Sequence, residues 1–129
     1  MAVIRQFEDL EAWQKARVLT QAVYGVTKAG PFAHDFMLRD QIRGAAVSVM
    51  ANLAEGFERG GNKEFLQFLA IAKGSCGEVR SHLCAALDQR YVTPEPFDQA
   101  CQKALEVSRM ASGLMKHLRA SAMRGAKYS

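Results

Sequence analysis

The stretch NLAEGFERGGNKEFLQFL, Asn52 to Leu69, sets an asparagine, glutamates and glycines in the most apolar part of the chain. Gly60-Gly61 interrupts the helical period there, and Asn62 offers a cap for a new helix. On the near side, from Asp35, Leu38, Ile42, Ala45, Val49 and Asn52 or Leu53 recur at steps of three and four. On the far side Phe65, Leu69, Ala72, Cys76, Val79, Leu83 and Ala86 repeat in a heptad-like seam. The stretch is therefore the joint between two long amphipathic helices.

Two further segments flank this pair. Asp9 reads as the N-cap of the first, in which Leu10, Trp13, Ala16, Thr20, Val23 and Thr27 share a face. Ala29-Gly30-Pro31 ends it, because proline cannot continue a helix. Thr93-Pro94 opens the last, with Phe97, Cys101, Ala104, Ser108, Ala111, Met115 and Leu118 in register. Helices of these lengths joined by short connections favour antiparallel neighbours. The expected fold is all-α, an antiparallel up-down-up-down four-helix bundle over 1–120. From Ser121 the pattern lapses, and 121–129 reads as a basic flexible tail.

Composition agrees with one globular domain. The chain has 129 residues, 49% hydrophobic and 23% charged, enough to bury a core without disulfides. No run approaches the roughly 18 apolar residues of a membrane span, and the N-terminal MAVIRQFEDLEAW lacks the apolar region of a signal peptide. Cys76, Cys84 and Cys101 are odd in number and form no CxxC, so they read as buried reduced thiols of a cytoplasmic protein. The formal net charge is +4, and its placement says more than its size. Beyond Glu106 there is no acidic residue, while Arg109, Lys116, Arg119, Arg124 and Lys127 follow. A basic end on a near-neutral body suits an acidic partner such as RNA or DNA. Lysines and arginines near a helix C-terminus also complement its dipole, which accounts for Lys116 and Arg119 without any partner.

The polar residues of the opening stretch have two readings. Ser48, Asn52, Glu55 and Arg59 form one stripe, and Ser75, Glu78 and His82 form another, with Gly44, Ala45, Ala46, Gly56, Gly74 and Gly77 around them. One reading is a tight helix–helix seam held in register by hydrogen bonds. The other is a site. A di-iron bundle needs paired Glu-x-x-His motifs, whereas Glu78 and His82 stand four apart and no second pair exists. Asp40, Glu55, Glu78 and His82 remain candidates for some other ion. A Ser–His or Cys–His nucleophile lacks a strand–turn–helix elbow, and no GxxxxGK[ST] phosphate loop occurs. The seam is the better reading, with no cofactor, no metal and no catalytic residue expected.

Four stretches together carry a family resemblance: FEDLEAWQKA, QIRGAAVSVMANLAEGFERG, KEFLQFLAIAKGSCGEV and SRMASGLMKHL. In order and spacing they resemble the 23S rRNA-intervening sequence proteins, whose motifs read like F-x-x-L-x-x-W, N-[IL]-A-E-G and G-S-x-x-E. The likeness extends from about Phe7 to Leu118. Gly44 and Met50 depart from it, standing where a basic residue and a proline are common. The resemblance implies a cytoplasmic bacterial four-helix bundle that assembles as a ring-shaped homopentamer. It also implies kinship with the accessory variability proteins of diversity-generating retroelements, which bind nucleic acid and a reverse transcriptase. On this footing Asn52, Glu55, Gly56, Ser75 and Glu78 are signature positions of structural role. The expected function is a non-enzymatic oligomer associated with nucleic acid, RNA foremost, through Arg109, Lys116, Arg119, Arg124 and Lys127. The alternative is a scaffold docking a partner protein, with exposed Tyr24, Phe32, Phe36, Phe57 or Tyr91 as anchors.

Overall fold

The computed structural model describes residues 3–128, with side chains described as far as Ser121. All regular structure among these residues is helical. A 3-10 turn at Phe7–Asp9 leads into α1 (Glu11–Thr27), followed by a short α2 (Gly30–His34), α3 (Phe36–Glu58), α4 (Asn62–Asp88) and α5 (Pro94–Tyr128). Four long helices make a bundle in which α3 packs on α4, α4 on α5, and α1 on both α3 and α5.

The helix ends follow local chemistry, with several shifts from the sequence reading. Asp9 caps the 3-10 turn and not α1: its Oδ2 accepts from the backbone N–H of Arg5 (3.0 Å) and Gln6 (3.2 Å). Leu10 is the N-cap of α1 and Gly61 that of α4, so Asn62 is the first helical residue there. Asp35 does cap α3, its Oδ1 accepting from Leu38 N–H at 3.1 Å. Gly60, with φ 81°, makes the joint after α3 in a region costly for residues with a Cβ. Arg90 occupies the same left-handed region at φ 60°. It closes α4 with bonds from Arg90 N–H to Leu87 O and Tyr91 N–H to Ala86 O, a Schellman ending.

Two differences are larger. Gly30, at φ 68°, redirects the chain, and with Pro31 it makes the first turn of α2 where the sequence reading has only a stop. The stretch expected as a loose tail continues α5 to Tyr128. Its Ala, Met, Arg and Lys residues are strong helix formers, so helix propagates there without an apolar period.

The core divides into two clusters. One gathers Leu19, Val23, Phe32, Leu38, Ile42, Val79, Leu83, Val92 and Ala104. The other gathers Ala12, Ala16, Val49, Leu53, Leu69, Ala72, Cys76, Val107 and Ala111. Most apolar positions named from sequence lie in one or the other, because burial of a continuous stripe dictates both the period and the fold.

Candidate functional site: the seam between α3 and α4 and the basic end of α5

The seam is built from small groups. Ser75 is buried, and its hydroxyl lies 3.0 Å from that of Ser48 across the two helices. Asn52 Nδ2 donates to Ser48 O at 2.8 Å and to Ser48 Oγ at 2.9 Å. Three side chains thus satisfy one another, and no described buried side-chain N or O lacks a partner. Gly56 fixes the approach of the helices further along. A Cβ there would sit 2.7 Å from Phe68 Cβ and 3.0 Å from Phe65 Cδ1, too close for a neighbour anchored to its own backbone. Gly44, Gly74 and Gly77 play no such role, since a Cβ on any of them would meet nothing within 4 Å.

Glu55 and Glu78 do not join this network. Glu55 is exposed and pairs with Arg59 one turn along its own helix, at 3.0 Å. Arg59 in turn lies over the Phe68 ring, 5.2 Å from its centroid, so Glu55 reaches α4 only through that guanidinium. Glu78 is exposed, with no hydrogen bond or ion pair among the described residues. Asp40 is engaged by Arg39 at 2.9 Å. No three of the described His, Cys, Asp and Glu side chains come together as an ion site, so Asp40, Glu55, Glu78 and His82 stay apart.

At the basic end, Arg109, Lys116 and Arg119 are all exposed on α5. Arg109 shares a shallow groove with Asp98, Lys103 and Glu106, and Glu106 also approaches Lys15 at 3.6 Å. Its charge is therefore partly balanced locally. Lys116 and Arg119 lie beyond those carboxylates. Arg124 and Lys127 lie outside the residues whose side chains are described.

Aromatic residues considered as anchors divide sharply. Phe32 is fully buried, Phe57 and Tyr91 are half-buried, and Tyr24 and Phe36 are exposed. Four arginines lie over aromatic rings: Arg17 on Trp13, Arg39 on Phe36, Arg43 on Tyr24 and Arg59 on Phe68. Spacing alone suggests the first two, at four and three residues, while the others depend on tertiary packing. Among the cysteines only Cys76 is buried, and burial pushes its thiol up to about 11. Cys84 is exposed and Cys101 half-buried, against the expectation of three buried thiols.

The family model of the 23S rRNA-intervening sequence proteins matches residues 8–113. A search of functionally curated proteins finds no match. Among solved structures, the chain is similar to a protein of unknown function from the S23 ribosomal protein family of Bacteroides thetaiotaomicron. The two superpose with a TM-score of 0.75 at 19% identity, over 81% of this chain and 95% of the other. At that identity the likeness establishes the fold alone.

Proposed function

The chain belongs to the 23S rRNA-intervening sequence protein family, and on that footing we propose that it is a non-enzymatic, oligomeric four-helix bundle that associates with nucleic acid, RNA foremost. The observation that carries this reading is the acid-free end of α5, where Lys116 and Arg119 stand exposed beyond the last carboxylate, Glu106. The cytoplasm is the compartment proposed; no helix among the described residues is long and apolar enough to cross a membrane.

An antiparallel up-down-up-down order is supported by the level of the contacts. Ser48 meets Ser75 while Gly56 meets Phe68, so advance along α3 is retreat along α4. Self-association, with a homopentameric ring as the proposed form, is supported by the outer face of the same pair. Val47 is 44% and Ile71 50% exposed there, among the exposed small residues Gly44, Ala51, Gly74 and Gly77. Glu55 and Glu78 face outward beside them. A ring would repeat the few cations of each chain and let them contact many phosphates at once.

The binding expected is weak and sequence-tolerant. Its affinity falls steeply with salt, by about 0.9 in log–log slope for each duplex phosphate neutralised. A gel-shift titration from low to physiological salt tests this, on wild type and on a variant with alanine at Arg109, Lys116, Arg119, Arg124 and Lys127. The variant should bind more weakly and with a shallower slope. Equal slopes would clear the basic end of any role. Absence of wild-type binding at low salt would favour the second reading, a scaffold for a partner protein, which the exposed Phe36 and Met37 support.

A further inference from the structure

Cys84 on α4 and Cys101 on α5 line one open cleft of about 430 Å³, together with Gly77, Arg80, Ser81, Phe97 and Leu105. On the α4 side Gly77 and Ser81 are small, which leaves the thiols open to solvent between the two helices. Arg80 has no ion pair among the described residues and reaches the same cleft. We infer that Cys84 and Cys101 form a peroxide-sensitive thiol pair that closes to a disulfide joining α4 to α5. The inference is independent of nucleic-acid binding.

The two thiols differ in a way that assigns their order of reaction. Cys84 is the exposed one. Cys101 is half-buried; burial raises its pKa, as does the nearby Cys84, while the Arg80 guanidinium lowers it. Both residues line the same cleft between α4 and α5. Axes of packed helices lie about 8–10 Å apart, with Cα atoms about 2.3 Å off each axis. Residues that face one another across the groove of two such helices can reach the Cα separation of about 4.4–6.8 Å that a disulfide spans.

In the first step the Cys84 thiolate attacks a peroxide oxygen, the O–O bond breaks, and hydroxide leaves to become water. This makes a sulfenic acid at Cys84. In the second, Cys101 attacks the Cys84 sulfur; the S–S bond forms, the S–O bond breaks, and a second water leaves. Two thiols are oxidised and one peroxide is reduced. Buried Cys76, its pKa pushed up to about 11, is left as a thiol throughout.

The chain is well arranged for the test. Lys73, Arg80, Arg90 and Lys103 place the three cysteines on separate tryptic peptides: 74–80, 81–90 and 91–103. The native assembly is treated with hydrogen peroxide, free thiols are alkylated, and the protein is digested without reduction. Peptides 81–90 and 91–103 should appear linked, with the loss of two hydrogens, within a single chain. A reductant should release them, and the oxidised wild type should melt higher than the reduced. In Cys84→Ser, an exposed position whose change spares the core, Cys101 should be recovered alkylated and the shift in melting should vanish. Oxidation of Cys84 to sulfinic acid with Cys101 still free would overturn the pair, as would a Cys84 link between two chains.

Discussion

The two core clusters occupy opposite ends of the bundle and are finished differently. At one end α2 lies across the helices: Phe32 is fully buried, Tyr91 stacks on it at 5.3 Å, and the Tyr91 O–H donates to Asp35 Oδ2 at 3.0 Å. At the other, around the fully buried set, larger residues remain half-buried. These are Trp13, Met50, Phe65, Met110, Leu114, Met115 and Leu118. Edge contacts tie Phe7 to Trp13 at 5.2 Å and Phe57 to Phe65 at 6.3 Å. The comparison teaches that an apolar period specifies a helix face but not how completely it is covered. One end carries its own lid; the other leaves apolar area that a neighbouring surface can cover.

The strongest test of this contrast sets one phenylalanine from each end against the other. Phe32→Ala should cost about 3–5 kcal/mol, since a wholly buried aromatic leaves both transfer loss and a cavity. Phe65→Ala, half-buried, should cost about half as much in chemical denaturation of the dissociated chain. Equal losses would erase the distinction. A larger loss for Phe65 at high protein concentration than at high dilution would show that a second copy of the chain covers the open end.

Gly56→Ala comes next. Phe68 Cβ is fixed by its backbone, so the two helices must part, and a loss of about 1–3 kcal/mol is expected. Gly74→Ala supplies the control: with open space at its Cβ and a better helix former, it should be neutral or stabilising by about 0.5–1 kcal/mol. A smaller effect at Gly56 than at Gly74 would mean that the helices do not touch there.

The smallest expected effect sharpens the reading of the polar stripe. Asn52→Ala removes two bonds at the half-buried Ser48 and should cost about 1 kcal/mol. Glu55→Ala should change the dissociated chain by less than about 0.5 kcal/mol, because its ion pair is exposed. If Glu55→Ala leaves thermal unfolding of the dissociated chain unchanged but weakens assembly by light scattering, the carboxylate belongs to a subunit interface.

Much of this architecture is legible in the sequence. The four long helices follow from steps of three and four, and Gly60-Gly61, Thr93-Pro94 and Asp35 mark their joints. What the sequence concealed is instructive. A five-residue helix has no apolar period, and Gly30-Pro31 carries the same signal whether the chain stops or turns into α2. The polar stripe joined Ser48, Asn52 and Glu55 because steps of four and three share a face. Glu55 stands seven residues from Ser48, only about 20° away around the helix, so its face does not exclude it. At its level α4 presents Phe65 and Phe68 against Gly56 and no polar partner among the described residues, and Glu55 pairs with Arg59 of its own helix. Glu78 departs from Ser75 by a step of three, about 60° short of a full turn. For the thiols, helical spacing suggested burial, whereas the small residues Gly77 and Ser81 leave an open groove beside two of them. Lys116 and Arg119 stand at the surface, but nothing in their spacing identifies what they meet.

Asp35 uses one oxygen to start α3 and the other to hold Tyr91, 56 residues away along the chain. A helix cap is ordinarily a local matter, settled within one turn. Here the same carboxylate makes the beginning of α3 and the docking of the α4–α5 turn a single event, so the two halves of the sequence are energetically coupled. Fraying of α3 at this end releases the tyrosine, and loss of the tyrosine loosens the cap. The closed end therefore unfolds as a cooperative unit, and substitutions at Asp35 and Tyr91 should not add.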